Sequence, residues 1–123
     1  MNPIPKISVI TVVFNGEKHI RKTIESVLGQ TYKALEYIII DGKSTDGTLG
    51  IIKEYKGIHK VVSEPDNGLY DAMNKGLKLV NGDIIGILKA ADPKISFLRD
   101  FDTEILEIRR QPAALKGLIR QNG

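Results

Sequence analysis

Asp41 stands at the end of an unbroken apolar run, Tyr37-Ile38-Ile39-Ile40, and opens a turn rich in glycine, serine and threonine, Gly42-Lys43-Ser44-Thr45-Asp46-Gly47-Thr48. A carboxylate in that position is costly unless it receives hydrogen bonds or a charge partner. Two further polar groups occupy comparable places. Phe14-Asn15-Gly16-Glu17 closes a β-branched run that starts at Ile7, and Asp92 follows another apolar run at residues 83–88. Carboxylates far apart in sequence but at equivalent strand ends can serve one ligand. One would read a base or ribose through hydrogen bonds. The other would hold a divalent cation, magnesium or manganese, which prefers oxygen ligands shared with substrate phosphates. The plainer alternative is that both cap loops. Within Tyr70-Asp71-Ala72-Met73-Asn74-Lys75-Gly76, Asp71 is accounted for by the positive end of a helix dipole. Asn74 is not, because asparagine is a poor helix-interior residue, and its amide is expected to face the cleft.

Several other chemistries recede. No G-x-G-x-x-G follows the first apolar run and no G-x-x-x-x-G-K-[ST] is present, which disfavours dinucleotide dehydrogenases and P-loop NTPases. The chain has no cysteine, so disulfides and thiolate metal sites are excluded. The two histidines have no partner at metal-ligand spacing. His19, beside basic residues on an amphipathic segment, reads as a solvated surface residue, and His59 as the opening of a strand. The 18 basic and 15 acidic residues are scattered and sum to +3, so no concentrated face for nucleic acid is visible. That charge is compatible with phosphorylated ligands or with peripheral association at an anionic membrane surface. The segment Met1-Asn2-Pro3-Ile4-Pro5-Lys6 lacks the apolar core of a signal peptide, and no apolar run reaches membrane-spanning length. The expected location is the cytoplasm, with the inner face of the membrane as its peripheral variant.

The elements that must position these groups follow from periodicity. With 123 residues the chain suits one domain that buries roughly two-thirds of its unfolded surface. Residues 7–14 read as a buried strand ended by the turn signal Asn15-Gly16. A helix is expected over residues 17–28, with Ile20, Ile24, Val27 and Leu28 on one face and Gly29 as its stop. The run ending at Asp41 reads as a strand buried on both faces. A second helix over residues 46–55 would be capped by Ser44 or Thr45, with Asp46 at its positive end. Residues 59–63 form a third strand, residues 64–68 a loop, residues 69–80 a third helix, and residues 83–88 a fourth strand. This alternation predicts an α/β fold: an open, mostly parallel twisted sheet with helices on both faces. Ligands in such sheets collect at the carboxyl ends of the strands, beside the point where strand order reverses. Beyond Asp92 the pattern changes. Leu98, Phe101, Ile105 and Ile108 predict an amphipathic helix broken at Pro112, Leu115, Leu118 and Ile119 allow a second, and no further strand is expected. The expected division is a ligand-binding domain over residues 1–93 and a helical tail over residues 94–123.

Four segments taken in order carry a resemblance: Ser8-Val9-Ile10-Thr11-Val12-Val13-Phe14-Asn15-Gly16-Glu17, Ser26-Val27-Leu28-Gly29-Gln30-Thr31-Tyr32, Tyr37-Ile38-Ile39-Ile40-Asp41-Gly42-Lys43-Ser44-Thr45-Asp46-Gly47-Thr48, and the stretch from Ser63 through Asn74-Lys75-Gly76. Together they resemble the N-terminal, nucleotide-binding half of the family-two glycosyltransferases, inverting enzymes of the Rossmann-like GT-A fold. The resemblance implies transfer of a sugar from a nucleotide diphosphate donor, commonly of the UDP type, to a saccharide acceptor, as in polysaccharide biosynthesis. It implies that Val12, Val13, Phe14 and Glu17 line the donor's base, with Asp41 hydrogen-bonded to it; Asn74, expected from its place in the helix to face the cleft, would join them as a nucleotide-binding residue. Asp92 would hold magnesium or manganese against the departing diphosphate.

The chain departs from that pattern twice. Where the family usually reads Asn-Ala-Asp-Asp, this sequence has Lys89-Ala90-Ala91-Asp92, so Ala91 replaces one acid and Lys89 brings a cation near the metal motif. The acceptor-binding half, with its carboxylate base, has no match in the residues after Asp92. The fold is therefore expected as a truncated one, and no catalytic residue is assigned. Asp100, Asp102, Glu104 and Glu107 read as a solvated helix face. A second reading is a non-catalytic nucleotide-binding or protein-interaction module, whose uncovered apolar surface would favour a homo-oligomer. A phosphoacceptor receiver domain fits less well, because it wants adjacent acids after its first strand, where this chain has Asn15.

Overall fold

From Glu36 onward every side chain of the strand that ends at Asp41 is buried, and the two layers around it explain why. The computed structural model describes residues 5–90 and the backbone of residues 103–110. In chain order the elements are β1 (Ile7–Val13), α1 (Ile20–Leu28), β2 (Leu35–Asp41), α2 (Thr48–Ile52), β3 (Lys60–Ser63), α3 (Leu69–Leu77), β4 (Ile84–Ala90) and β5 (Thr103–Arg110). The sheet order is β3-β2-β1-β4-β5, with the first four strands parallel and β5 antiparallel to β4.

Helices cover both faces. Ile38 and Ile40 of β2, with Ile10 and Val12 of β1 and Ile85 and Ile87 of β4, pack against Ala72, Met73 and Leu77 of α3. Tyr37 and Ile39 point the other way, into Ile20, Ile24 and Val27 of α1 and Ile52 of α2. Successive strand residues alternate between faces, so a strand serving two cores must be apolar without a break. Each fully buried aliphatic side chain contributes about 1.5–3 kcal/mol. α3 comes close to β1 because position 76 is glycine: a Cβ there would lie 2.7 Å from Ile10 Cγ2.

The buried polar groups are paired. The Thr11 hydroxyl and the Tyr37 phenol lie 2.7 Å apart inside the α1 face. Burial pushes the Tyr37 phenol well above its ordinary pKa, although the bond to Thr11 pulls the other way. At the amino ends of the strands, Glu36 accepts from the Ser8 hydroxyl at 2.7 Å and from the Asn81 N–H at 3.0 Å. Ser8 in turn accepts from the Gly82 N–H at 2.9 Å, and the Lys6 ammonium stands 3.8 Å from Glu36. Burial alone would raise the Glu36 carboxyl, but these donors and the Lys6 charge outweigh it and hold the group below its usual range. The network ties β1 and β2 to the loop that leads into β4.

Besides α3, which ends at Leu77 rather than residue 80, and shifts of one or two residues at strand ends, three elements differ from the sequence expectation. α1 begins at Ile20 rather than residue 17, because residues 17–19 form a turn. α2 is short, and Gly47 rather than Ser44 or Thr45 stands at its N-cap. Ser44 is occupied with Asp41 and Thr45 with Asn15, while Asp46 accepts from the Thr48 N–H at 3.0 Å and so serves the helix start. The third difference is β5. A helix was expected through Ile105 and Ile108, within a helical tail, but residues 103–110 form a strand along the edge of β4. A bulge opposite Ile87 and Leu88 adds one residue to β5, so positions 105 and 108 oppose Leu88 and Gly86. Their three-residue spacing imitates a helix, whereas the bulge makes it compatible with a strand. The rest of the tail, including Leu98, Leu115, Leu118 and Ile119, lies outside the described residues.

Candidate functional site

The chain passes from β1 outward through β2 to β3, then returns to β4 on the other side of β1. Strand order therefore reverses between β1 and β4, and a cleft of about 790 Å³ opens at the carboxyl ends of the strands. Its floor is Val12, Val13 and Phe14 at the end of β1, with Gly42 after β2 and Lys89 and Ala90 of β4. The turn at residues 15–19 forms one wall, and Pro65, Asp66, Gly68, Leu69 and Ala72 form the other.

The loops after β1 and β2 are laced together, which shapes the rim. Asn15 adopts the left-handed backbone (φ 50°), so its side chain turns back and accepts from the Thr45 N–H at 2.8 Å. Its own N–H donates to the Ser44 hydroxyl at 2.8 Å, and the Gly16 N–H donates to the Thr48 hydroxyl at 3.0 Å. Asp46 accepts from Thr48 through one carboxylate oxygen and from the Glu17 N–H through the other. Burial would raise its carboxyl, but these bonds hold it below the ordinary aspartate value.

The structure brings part of the expected site together. Val12, Val13, Phe14 and Glu17 line the cleft, and the Phe14 ring is 61% exposed at its mouth. Asp41 does not line it. Its carboxylate is fully buried and accepts from the Ser44 N–H at 3.0 Å, the Ser63 hydroxyl at 2.8 Å and the Ser44 hydroxyl. The carboxylate is held by its own chain, as buried acids must be. Asn74 does not line the cleft either. Asp92 lies outside the described residues. His19, expected on the solvated surface, is half-buried and faces the cleft.

Sequence reasoning passed over Asp66 as a site residue. The signal for it was available: Pro65-Asp66-Asn67-Gly68 is a loop directly after a strand, and such loops lie on the ligand-binding edge of a parallel sheet. Lys18 and Lys89 supply positive charge to the cleft, and Glu17, Asp46 and Asp66 supply negative. Among the described residues no group of three histidine, cysteine, aspartate or glutamate side chains comes together to hold a metal ion. No helix among them is long and apolar enough to cross a membrane.

Comparison with known proteins accords with this geometry. The model of glycosyl transferase family 2 matches residues 8–90. An uncharacterized glycosyltransferase from Mycobacterium tuberculosis is 39% identical over 94 residues, which is 75% of this chain and 36% of that protein. The chain spans about a third of the length of the curated relatives it matches. A mannosyltransferase from Pyrobaculum calidifontis, solved with GDP-Man and Mn2+, superposes with a TM-score of 0.63 and 27% identity, covering 69% of this chain and 27% of its own. TarS from S. aureus, solved as residues 1–349 with UDP-GlcNAc, gives 0.63 and 28%, covering 68% and 26%. The four parallel strands with their helices are the Rossmann-like, N-terminal portion of the GT-A fold. The chain belongs to glycosyltransferase family 2.

Proposed function

We propose that the cleft binds the nucleotide of a nucleotide diphosphate-sugar, and that the chain contributes this donor site to transfer of the sugar, with inversion, onto a saccharide acceptor in polysaccharide biosynthesis. The observation that carries the reading is the cleft itself, at the strand-order reversal and lined by Val12, Val13, Phe14 and Glu17 within the family match. An exposed aromatic ring at the mouth offers a stacking face for a base, worth about 1–3 kcal/mol. The Lys89 ammonium, on the β4 side of the cleft, suits a diphosphate, since fixed positive charge beside a departing anion lowers the barrier to its departure. In the transfer the bond between the anomeric carbon and the diphosphate oxygen breaks as the acceptor oxygen bonds to the opposite face of that carbon; the nucleoside diphosphate leaves with the bonding pair, and the acceptor hydroxyl gives its proton to a general base.

Relatives of known structure support a nucleotide-sugar donor, being solved with GDP-Man and with UDP-GlcNAc. The first of them also holds Mn2+. By the motif, Asp92 would share magnesium or manganese with the donor's phosphates, which are the oxygen ligands these ions prefer. Calorimetric titration with UDP and GDP, with and without Mn2+, tests the reading. Saturable binding by one of them, tightened by Mn2+, is the expected result. Heats no larger than dilution for both nucleotides under both conditions would overturn it. Binding without sugar transfer to any acceptor would leave a nucleotide-binding module.

A further inference from the structure

We infer that Asp66, carried by the loop between β3 and α3, is the carboxylate that reads the nucleobase, and that it selects a base with a ring N–H on its pairing edge, uracil or guanine. The inference rests on the nucleotide-site reading above. Asp41, the acid at the end of β2, has its carboxylate turned inward and taken by Ser44 and Ser63. The next residue is Gly42, which has no side chain to offer. A Cβ at Gly42 would lie 3.0 Å from Asp66 Oδ2 and 3.3 Å from Phe14 Cδ1. The Asp66 carboxylate therefore fills the space in front of the end of β2, beside the edge of the Phe14 ring. It is half-buried, lines the cleft, and is engaged by no hydrogen bond or ion pair among the described residues. Glu17, the other unengaged acid of the cleft, is exposed and leans on Gly47 at the α2 side. An acceptor without a partner, next to an exposed aromatic ring, fits a flat ligand that stacks on the ring and donates from its edge.

The loop is fastened on both sides of Asp66. Lys75 Nζ of α3 donates to the Pro65 carbonyl at 2.7 Å and pairs with Glu64 at 3.2 Å and Asp71 at 3.5 Å. The Asn67 N–H donates to Asp71 Oδ2 at 2.8 Å, and the Glu64 N–H donates to the Asp41 carbonyl at 3.1 Å. Backbone held this way presents a side chain at a defined place, as a recognition residue requires.

The selectivity follows from the chemistry of the group. An ionised carboxylate only accepts hydrogen bonds. Uracil N3 and guanine N1 carry a hydrogen to donate. The matching ring nitrogens of cytosine and adenine carry a lone pair, which a carboxylate repels. A site built to hydrogen-bond one partner rejects an analogue that cannot, because its own polar group is left unpaired.

The test is calorimetry on the full chain with UDP, GDP, CDP and ADP, using wild type, Asp66→Asn and Asp66→Ala, with thermal unfolding recorded for each. Wild type is expected to bind UDP or GDP more tightly than CDP and ADP. Asp66→Asn, whose amide both donates and accepts, should weaken the preferred nucleotide by about 10- to 100-fold and lose the preference over CDP. Asp66→Ala should do the same if the asparagine variant does not fold. A double variant, Gly42→Asp with Asp66→Ala, returns a carboxylate to the end of β2 and should regain part of the preference, which a loosened loop would not do. An unchanged preference in a folded Asp66 variant would overturn the role of Asp66 while leaving the nucleotide site standing. Failure of wild type to bind any of the four would overturn the site and this inference together.

Discussion

Replacing Asp41 with asparagine exchanges one oxygen for an NH2 at nearly constant volume, so the change isolates the hydrogen bonds of one buried carboxylate. Its Oδ2 accepts from the Ser44 N–H at 3.0 Å and the Ser63 hydroxyl at 2.8 Å, and its Oδ1 accepts from the Ser44 hydroxyl. Bonds to a charged acceptor contribute about 1.5–3 kcal/mol each. Asparagine keeps one acceptor and turns a donor toward a donor. Two effects offset the loss: the serine hydroxyls reach solvent, and a buried charge no longer has to be desolvated. The net destabilisation expected is about 2–3 kcal/mol. At about 4 °C per kcal/mol for a domain of 123 residues, Tm should fall by ~8–12 °C. Thermal unfolding by circular dichroism measures this, with UDP and GDP titrations at a temperature where both proteins are folded. Base preference should be unchanged, because the carboxylate faces its own loop. A variant as stable as wild type that had lost its preference between bases would refute the reasoning, since Asp41 would then have to reach the ligand.

Glu36 has a carboxyl held below its usual range, so its contribution is present above the unfolded value of 4.5 and is lost as pH falls through the folded value. Denaturant unfolding across that range should show stability falling below about pH 4.5, and Glu36→Gln should flatten the fall. Tyr37→Phe leaves the buried Thr11 hydroxyl without its partner and should cost about 1–3 kcal/mol in chemical denaturation. With its phenol pKa raised by burial, Tyr37 stabilises fully below pH 10 and loses that contribution as the pH rises beyond it, where the unfolded chain ionises first. Of the four tyrosines, absorbance titration should show one that ionises only on unfolding. Gly76→Ala places a methyl 2.7 Å from Ile10 Cγ2, which overpacks the α3–β1 contact by about 1–3 kcal/mol and regains about 1 kcal/mol in helix propensity. A net loss of about 0–2 kcal/mol is expected, and a clearly stabilised variant would show that α3 can move off β1 without loss.

Four parallel strands and three helices were legible in the sequence because their signal is local. The alternation of faces along β2 demands apolar residues at Tyr37, Ile38, Ile39 and Ile40 whatever lies elsewhere, and Asn15-Gly16 announces a turn that the left-handed Asn15 confirms. Phe14 and Glu17 could be placed at the cleft because the carboxyl end of a central parallel strand faces the strand-order reversal, and Val12 and Val13 followed from the family resemblance. What no local pattern carries is the direction of a side chain whose partners lie far along the chain. Asp41 turns inward because Ser63, 22 residues away, and Ser44 together satisfy it. Asp66 reaches the front of β2 because α3 fastens its loop through Lys75 and Asp71. β5 is a strand because β4 offers an edge and a bulge absorbs the three-residue spacing of Ile105 and Ile108. The sequence by itself determined the layers of this protein and the edge where its ligand is proposed to bind. Tertiary structure alone decided that the Asp41 carboxylate is satisfied by its own chain while that of Asp66 is left unengaged among the described residues, because that depends on which donors the folded chain brings to each acid.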